Sequence, residues 1–216
     1  MTQALYFESD STTASARVLS CQPMDDGLWA VVLDRTLFHP QGGGQPSDVG
    51  TINGIAVRKV IHIEDEIVHL TEQPLSGEAV LCVNEDKRRL HSRLHSAGHL
   101  VGLVGDQLGW HAVGGNHFPG EARVMFKPEH PELLSELIES GEFEKHVNQL
   151  VDQSLERKIT ENAEGFRTVA WGNLPAYPCG GTHVQNTSEI GRVRITKIKF
   201  KKGQITVSYQ LEEKFA

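Results

Sequence analysis

Two pairs of potential metal ligands, far apart in the sequence, place the strongest constraint on how this chain can fold. The first pair is His95 and His99, spaced by four residues, and the second pair, Cys179 and His183, has the same spacing much further along. Histidine and cysteine at short, regular spacing are typical of metal sites. If both pairs bind one ion, the fold must bring two distant segments together.

The local pattern around each pair suits this convergence. After Asn84, apolar residues recur every three or four positions, which predicts a helix that carries the histidine pair. Residues four apart lie on the same face of a helix, so both imidazoles can reach one ion. Gly180 and Gly181 allow the tight turn that the second pair needs. Three nitrogens and one sulfur suit zinc, and we expect one Zn²⁺ per chain.

Other interpretations of these residues remain open. Each pair alone is compatible with ordinary surface histidines or a buried thiol. Ser96, Ala97 and Gly98 separate the helical histidines, so the glutamate base of a metalloprotease helix is missing. Four protein ligands usually close a structural zinc site, whereas catalysis needs an open position. The sequence does not decide whether His183 is a permanent ligand, a loosely held one or a base.

Composition and length describe an ordinary globular protein. Its 216 residues are 38% hydrophobic and 23% charged, which suffices for a buried core. The N-terminal residues lack a signal-peptide pattern, and no apolar run reaches the roughly 18 residues that span a bilayer. The three cysteines do not suggest a disulfide framework. We expect a cytoplasmic protein without membrane association, and no obligate protein partner is evident.

The first part of the chain has the pattern of a compact all-β unit. Short runs rich in β-branched residues alternate there with turn residues. The predicted strands cover residues 28–33, 55–63, 67–70 and 79–83. Asn53 and Gly54 readily supply the two positive φ values of a type I′ turn, so we expect a tight hairpin there.

Helical periodicity replaces these strands after residue 84, and strand character returns near the C-terminus. Besides the helix with the histidine pair, the predicted elements are a helix at about residues 131–155 and strands at residues 191–200 and 205–211. A turn at residues 202–204 joins the last two strands. We therefore expect one domain at residues 1–86 and a second at residues 87–216.

Basic residues are unevenly distributed in this chain, whose net charge is -7. That charge repels a nucleic acid overall, so such a partner would need a local basic surface. The candidate residues for this surface are Arg88, Arg89, Arg93, Arg192, Arg194, Lys197 and Lys199. Positions 197, 199 and 201 would share one face of a strand. An ordinary solvated strand face is the alternative.

A glycine-rich segment at residues 36–48 contains Gly42, Gly43 and Gly44 in succession, followed by Gln45. Consecutive glycines let a backbone approach a ligand closely. A flexible turn is the alternative interpretation.

Taken together, the motifs resemble a known family. The two ligand motifs, at residues 95–99 and 179–183, resemble the signature shared by alanyl-tRNA synthetase editing domains and free-standing AlaX proteins, and the threonyl-tRNA synthetase editing domain is similar. The segment at residues 38–48 resembles the glycine-rich motif of the longer AlaX proteins. The resemblance implies an α+β fold, in which an N-terminal antiparallel β-barrel precedes an editing domain with helices packed on an antiparallel sheet.

The resemblance also implies a function, namely a free-standing hydrolase that removes serine, or glycine, from mischarged tRNA(Ala) by zinc-assisted ester hydrolysis. It assigns the two ligand pairs to zinc, and it places Gly43, Gly44 and Gln45 beside the pocket for the aminoacyl end. Ser96 stands where the family commonly has threonine. Transfer RNA is then the expected partner.

Substrate discrimination gives this task a physical reason. A synthetase pocket for alanine cannot exclude the smaller glycine, and it excludes a near-isostere with a hydroxyl by only about 100-fold. A second site can spare alanine if its buried polar groups are satisfied only by the hydroxyl of serine. Ser96, Gln45 and Thr182 are predicted to contact that hydroxyl, and the predicted catalytic residues are His183, Ser96 and Gln45.

Two alternative functions remain open. One is a deacylase for another small aminoacyl-tRNA, such as threonyl-tRNA, because fold-level likeness does not define the substrate. The other is a non-catalytic RNA-binding module in which four ligands close a structural zinc site.

Overall fold

The computed structural model describes residues 2–130 and 139–212. The protein has a mixed α/β architecture with antiparallel sheets, and it divides into two compact units, Met1–Arg89 and Leu90–Ala216. The division falls close to the predicted domain boundary between residues 86 and 87. Within the described ranges, no helix combines the length and the apolar character needed to cross a membrane.

Strands make up most of the regular secondary structure described in the first unit. They are β1 (Gln3–Ala4), β2 (Thr13–Pro23), β3 (Trp29–Leu33), β4 (Arg35–Thr36), β5 (Gly50–Ile52), β6 (Ile55–Ile63), β7 (Glu66–Thr71) and β8 (Glu78–Val83). Six of them form a closed barrel in the order β2-β3-β7-β6-β5-β8, and all neighbours are antiparallel. β1 and β4 form a separate parallel pair, and a short 3₁₀ helix, Leu5–Phe7, follows β1.

Alternating side chains fill the core of this unit. In β8, exposed and buried residues alternate along the whole strand, as expected when one face of a strand lies against a core. Val31, Leu33 and Ile52 are fully buried in this core. Asn53 and Gly54 both have positive φ, at 51° and 80°, and join β5 to β6. The predicted tight hairpin is therefore confirmed.

The second unit contains two sheets and most of the helical residues. Its elements, with the helix that leads into it, are α1 (Glu85–Gln107), β9 (Trp110–Asn116), β10 (Arg123–Pro128), α2 (Ser140–Asp152), β11 (Arg157–Glu161), β12 (Arg167–Trp171), β13 (Tyr177–Pro178), β14 (Val193–Lys201) and β15 (Gln204–Leu211). One sheet has the order β14-β15-β10-β9 and the other β11-β12-β13, both antiparallel. A 3₁₀ helix, Thr187–Ile190, precedes β14.

Helix α1 carries the histidine pair. Asn84 caps it, because its Oδ1 accepts the Lys87 N–H at 3.0 Å, and two acidic residues in the first turn suit the positive end of the helix dipole. Ala97 and Val101, on the face that periodicity predicts, are fully buried in the core of the second unit.

The predicted strands at residues 191–200 and 205–211 correspond to β14 and β15, with small differences in their bounds. The predicted helix at about residues 131–155 corresponds to α2, and its apolar positions Leu133, Leu134, Leu137 and Ile138 lie outside the described residues. Lys202 and Gly203, with φ of 51° and 74°, form the turn between β14 and β15.

Helix α2 lies against β14, which is an edge strand of its sheet. Asn148 donates from Nδ2 to the Val193 carbonyl at 2.8 Å and accepts the Val193 N–H on Oδ1 at 3.0 Å. Glu144 accepts the Ile195 N–H at 2.8 Å. Side chains of α2 thus satisfy backbone groups that a further strand would otherwise pair.

Candidate metal site

The four predicted metal ligands lie together in the second unit. The ligand atoms of His95, His99, Cys179 and His183 all lie within 4.8 Å of one another. His99 Nε2 is 3.2 Å from His183 Nε2, and Cys179 Sγ is 3.4 Å from His95 Nε2 and 3.5 Å from His183 Nε2. Ordinary zinc bond lengths give tetrahedral edges of about 3.3 Å between nitrogens and about 3.6 Å between nitrogen and sulfur. The donor set and these separations fit one zinc ion.

Two arginines hold the loop that carries the second ligand pair. Arg167, at the start of β12, donates to the carbonyls of Cys179 at 2.6 Å and Gly181 at 3.2 Å. Its own carbonyl accepts the Cys179 N–H at 3.1 Å. Arg157 donates to the His183 carbonyl at 2.6 Å. Neither arginine belongs to a recognisable motif, and the sequence analysis missed both.

Hydroxyl groups join this loop to helix α1. The Ser96 hydroxyl oxygen accepts the Val184 N–H at 3.1 Å, and the hydroxyl oxygens of Ser92 and Thr182 lie 2.7 Å apart in a hydrogen bond. Ser96 is fully buried. Both predicted hydroxyls therefore help to hold the two ligand pairs together, and their contact with a substrate stays a prediction.

Aromatic rings surround the imidazoles. The His117 ring stacks on His95, with centroids 4.5 Å apart and planes 19° apart. Trp171 and Tyr177 each present an edge-to-face contact to His99 at 5.8 Å. His117 was not predicted, because an isolated histidine has no partner at regular spacing.

Burial gives the ligands different protonation behaviour. His95 and His183 are each 3% exposed, whereas His99 and Cys179 are partly exposed. Burial of its ring, together with the nearby charges of His117 and Arg167, lowers the pKa of His99 to about 3. Burial raises the pKa of the Cys179 thiol, opposed by the Gly181 N–H and by Arg167. At neutral pH His99 is therefore neutral, as a ligand must be, and the thiol would lose its proton on binding a metal.

The glycine-rich segment forms a tight turn in the first unit. Gly43 and Gly44 have φ of 55° and 75°, a conformation that glycine adopts without strain. Gly42 and Gln45 pair across the turn through hydrogen bonds of 2.9 and 3.2 Å. Gln45 is fully buried. The proximity of these residues to an aminoacyl group stays a prediction.

The predicted basic surface is only partly available. The prediction that Arg88 belongs to this surface is wrong. Its side chain is only 9% exposed and forms an ion pair with the fully buried Asp48. Arg88 also donates to the Leu37 carbonyl. Arg89 is exposed and pairs with Asp86 at 2.9 Å. Arg93 is partly buried and donates to the Ile190 carbonyl at 3.0 Å.

Strand β14 presents a row of exposed cations. Its pairing with β15 shifts between Ile195 and Lys197, which identifies a β-bulge. Before the bulge, the buried residues of β14 have odd numbers. After the bulge, the partly buried residue is the even-numbered Ile198, so the odd-numbered residues face outward. The bulge therefore brings Arg194 onto the same face as Lys197 and the lysines that alternate after it. Arg192 precedes the strand and pairs with Asp152 at 3.1 Å on the surface.

Comparisons with known proteins identify related sequences. Residues 166–206, which contain Cys179 and His183, match the family model of the threonyl and alanyl tRNA synthetase second additional domain. The alanine–tRNA ligase of Acholeplasma laidlawii is 34% identical over 192 residues, which are 78% of this chain and 22% of the ligase. The chain thus shares a region with these synthetases.

Two relatives match along nearly their whole length. The alanyl-tRNA editing protein AlaX-M of Pyrococcus horikoshii is 32% identical over 206 residues, covering 91% of each chain. AlaX-M of Methanosarcina barkeri is 31% identical over 237 residues, covering 93% of this chain and 95% of the relative. The chain belongs to the AlaX family of alanyl-tRNA editing proteins, and the family predicted from the two ligand motifs is confirmed.

Proposed function

We propose that this protein is a zinc-dependent hydrolase that removes serine, and secondarily glycine, from mischarged tRNA(Ala). The observation that carries the proposal is the convergence of His95, His99, Cys179 and His183, with ligand atoms within 4.8 Å of one another. Membership of a family whose relatives are named alanyl-tRNA editing proteins supports the tRNA substrate.

The arrangement of the ligands supports chemistry at a partly open site. A zinc ion held by the four residues would supply a Lewis acid for the ester carbonyl or for an attacking water. His99 and Cys179 retain exposure, while His95 and His183 do not, so the substrate would approach from the side of His99 and Cys179. The 3.2 Å separation between His183 Nε2 and His99 Nε2 favours His183 as a ligand over His183 as the base.

Selection of serine would depend on polar groups that alanine leaves unsatisfied. Thr182 lies in the ligand loop, and Ser96 fixes the backbone beside His183. We assign them to shaping the acyl pocket. Gln45, with Gly43 and Gly44, is assigned to the border of that pocket on the strength of the family resemblance.

The phosphate backbone of the tRNA would meet the exposed face of β14. This face carries Arg194, Lys197 and Lys199, and the bulge aligns them. A local row of cations can bind phosphate in a chain with net charge -7, because short-range contacts and counterion release outweigh the distant repulsion.

The decisive experiment is a deacylation assay with a panel of charged tRNAs, comprising seryl-, glycyl- and alanyl-tRNA(Ala) and threonyl-tRNA(Thr). We expect release of serine, slower release of glycine, and sparing of the alanyl and threonyl esters. His99→Ala and Cys179→Ala should each abolish turnover, and His130→Ala, at an exposed histidine, should not. Unchanged turnover in both ligand variants would rule out the proposed chemistry, and preferential threonyl release would favour the alternative deacylase.

A further inference from the structure

His117 lies against the metal site without belonging to the ligand cluster. It follows β9 directly and is 7% exposed. Its ring is nearly parallel to that of His95, at a centroid separation of 4.5 Å. The four converging ligand atoms come from other residues, so the stacked ring needs a separate explanation.

A chain of contacts links His117 to the backbone beside His95. The Tyr209 hydroxyl donates to the Leu94 carbonyl at 2.9 Å, and it lies 2.7 Å from His117 Nδ1. A hydroxyl has one proton, so Tyr209 must accept from an Nδ1–H of His117. The contacts therefore run from Leu94 through Tyr209 and His117 to the ring of His95, the residue that follows Leu94.

Two glycines leave space for the His117 ring. A Cβ at Gly98 would lie 2.4 Å from His117 Cε1 and 2.7 Å from the Tyr209 hydroxyl. A Cβ at Gly115 would lie 2.8 Å from the same Cε1 atom. Both separations are too short for real side chains, so the ring occupies a space that only glycine at these positions permits.

We infer that His117 is a positioning residue, which fixes the plane of the His95 ring so that Nε2 faces Cys179 Sγ. The torsion that orients an imidazole ring has broad minima, so without the stacked His117 ring His95 would sample other orientations. The need to align Nε2 with the site would then weaken metal binding without removing a ligand. Groups that orient metal ligands typically change metal affinity about 10–100-fold when they are removed. This inference takes from the proposed function only the identity of the bound ion, zinc, and it does not depend on the catalytic activity.

Zinc affinity, measured by competition with a chromophoric chelator, tests this role in the intact 216-residue chain. We expect His117→Ala to weaken zinc binding about 10–100-fold, whereas His117→Phe, which keeps a flat stacking ring, should remain within a few-fold of the unmodified protein. Tyr209→Phe removes the hydrogen bond that holds His117, so its zinc affinity should lie between those of His117→Ala and His117→Phe. His130→Ala serves as the matched control, and the melting temperature of each metal-free variant reports any general loss of stability.

The absorption bands of bound Co²⁺ provide a second readout. All variants should retain tetrahedral bands, since no ligand changes. Wild-type zinc affinity in both His117→Ala and Tyr209→Phe would overturn the inference, and so would altered Co²⁺ bands in His117→Phe, which would make His117 a ligand. The expected affinity losses without deacylase activity in the unmodified protein would support the inference and contradict the proposed function.

Discussion

At the scale of single residues, His69 illustrates how the first unit accommodates a buried polar side chain. It lies in β7 and is fully buried. The Thr36 hydroxyl donates to Nε2 at 2.7 Å, and Nδ1–H donates to the Val31 carbonyl at 3.1 Å. Burial lowers the pKa of His69 from 6.5 to about 4. The ring is therefore neutral in the folded protein near pH 7, with both nitrogens satisfied.

This residue predicts a pH dependence of stability. Between pH 6.5 and about pH 4 the unfolded chain binds a proton at His69 that the folded protein does not, so the free energy of unfolding falls as the pH falls. The contribution of His69 amounts to on the order of 3 kcal/mol by pH 4. Denaturant unfolding of the metal-free protein across this pH range measures the effect. The free energy of unfolding should change less steeply with pH in His69→Gln than in the unmodified protein. Identical slopes would contradict the prediction.

The sequence predicts metal ligands more readily than the residues that support them. Each ligand pair, His95 with His99 and Cys179 with His183, is recognisable from its spacing within one short segment. His117 is held by a hydrogen bond to Tyr209, which lies 92 positions away, and no local pattern in the sequence predicts that contact. Arg88 was misassigned for a related reason, because its buried partner Asp48 lies 40 positions earlier.

At the scale of secondary-structure elements, two glycines in helix α1 should respond in opposite ways to replacement by alanine. A Cβ at Gly98 would overlap His117, whereas a Cβ at Gly102 would meet Ala112 Cβ at an ordinary 3.8 Å. Gly98→Ala should therefore destabilise the protein by about 1–3 kcal/mol through overpacking. Gly102→Ala should stabilise it by up to about 1 kcal/mol, the helix preference of alanine. Chemical denaturation of both variants is the measurement, and equal effects would contradict this account of Gly98.

Strand β14 carries the prediction for nucleic-acid binding. The double variant Lys197→Glu/Lys199→Glu should reduce affinity for tRNA and reduce the slope of log affinity against log salt by roughly two, one for each lost phosphate contact. Lys59→Glu, the same charge reversal at one exposed lysine of the barrel, is the control. Titrations at several salt concentrations give both quantities. An unchanged salt slope in the double variant would show that this face is an ordinary solvated surface.

The elements found from sequence are those with strong local patterns. β6 and β8 were predicted almost to the residue, because β6 is rich in β-branched residues and β8 alternates between exposed and buried positions. β2 was missed, since most of its residues are exposed and its pattern is mixed. The bulge at Thr196 could not be predicted either, because it exists only relative to the partner strand β15.

At the scale of the whole molecule, each unit has an apolar core of its own. The core of the second unit contains Trp110, Phe126 and Trp171, all nearly or fully buried. This core does not consist of metal ligands. A protein of this kind should remain folded when the metal is removed, unlike a module that folds only around zinc.

Calorimetry with and without a chelator tests this expectation. Chelation should abolish deacylation and lower the melting temperature only modestly, because zinc contributes binding energy to a unit that already has a core. Hydrogen exchange should show the loss of protection confined to peptides near Cys179 and His183. Wholesale unfolding on chelation would instead favour the structural, non-catalytic zinc module.

The contacts between α2 and β14 also bear on self-association. An exposed strand at the edge of a sheet offers unpaired backbone groups to another copy of the chain, which is a route to aggregation. Asn148 and Glu144 occupy those groups at Val193 and Ile195, and the lysines that follow would repel the same strand of a second molecule. The row of charges that we propose for tRNA binding would thus also oppose pairing between the sheet edges of two molecules in concentrated solution.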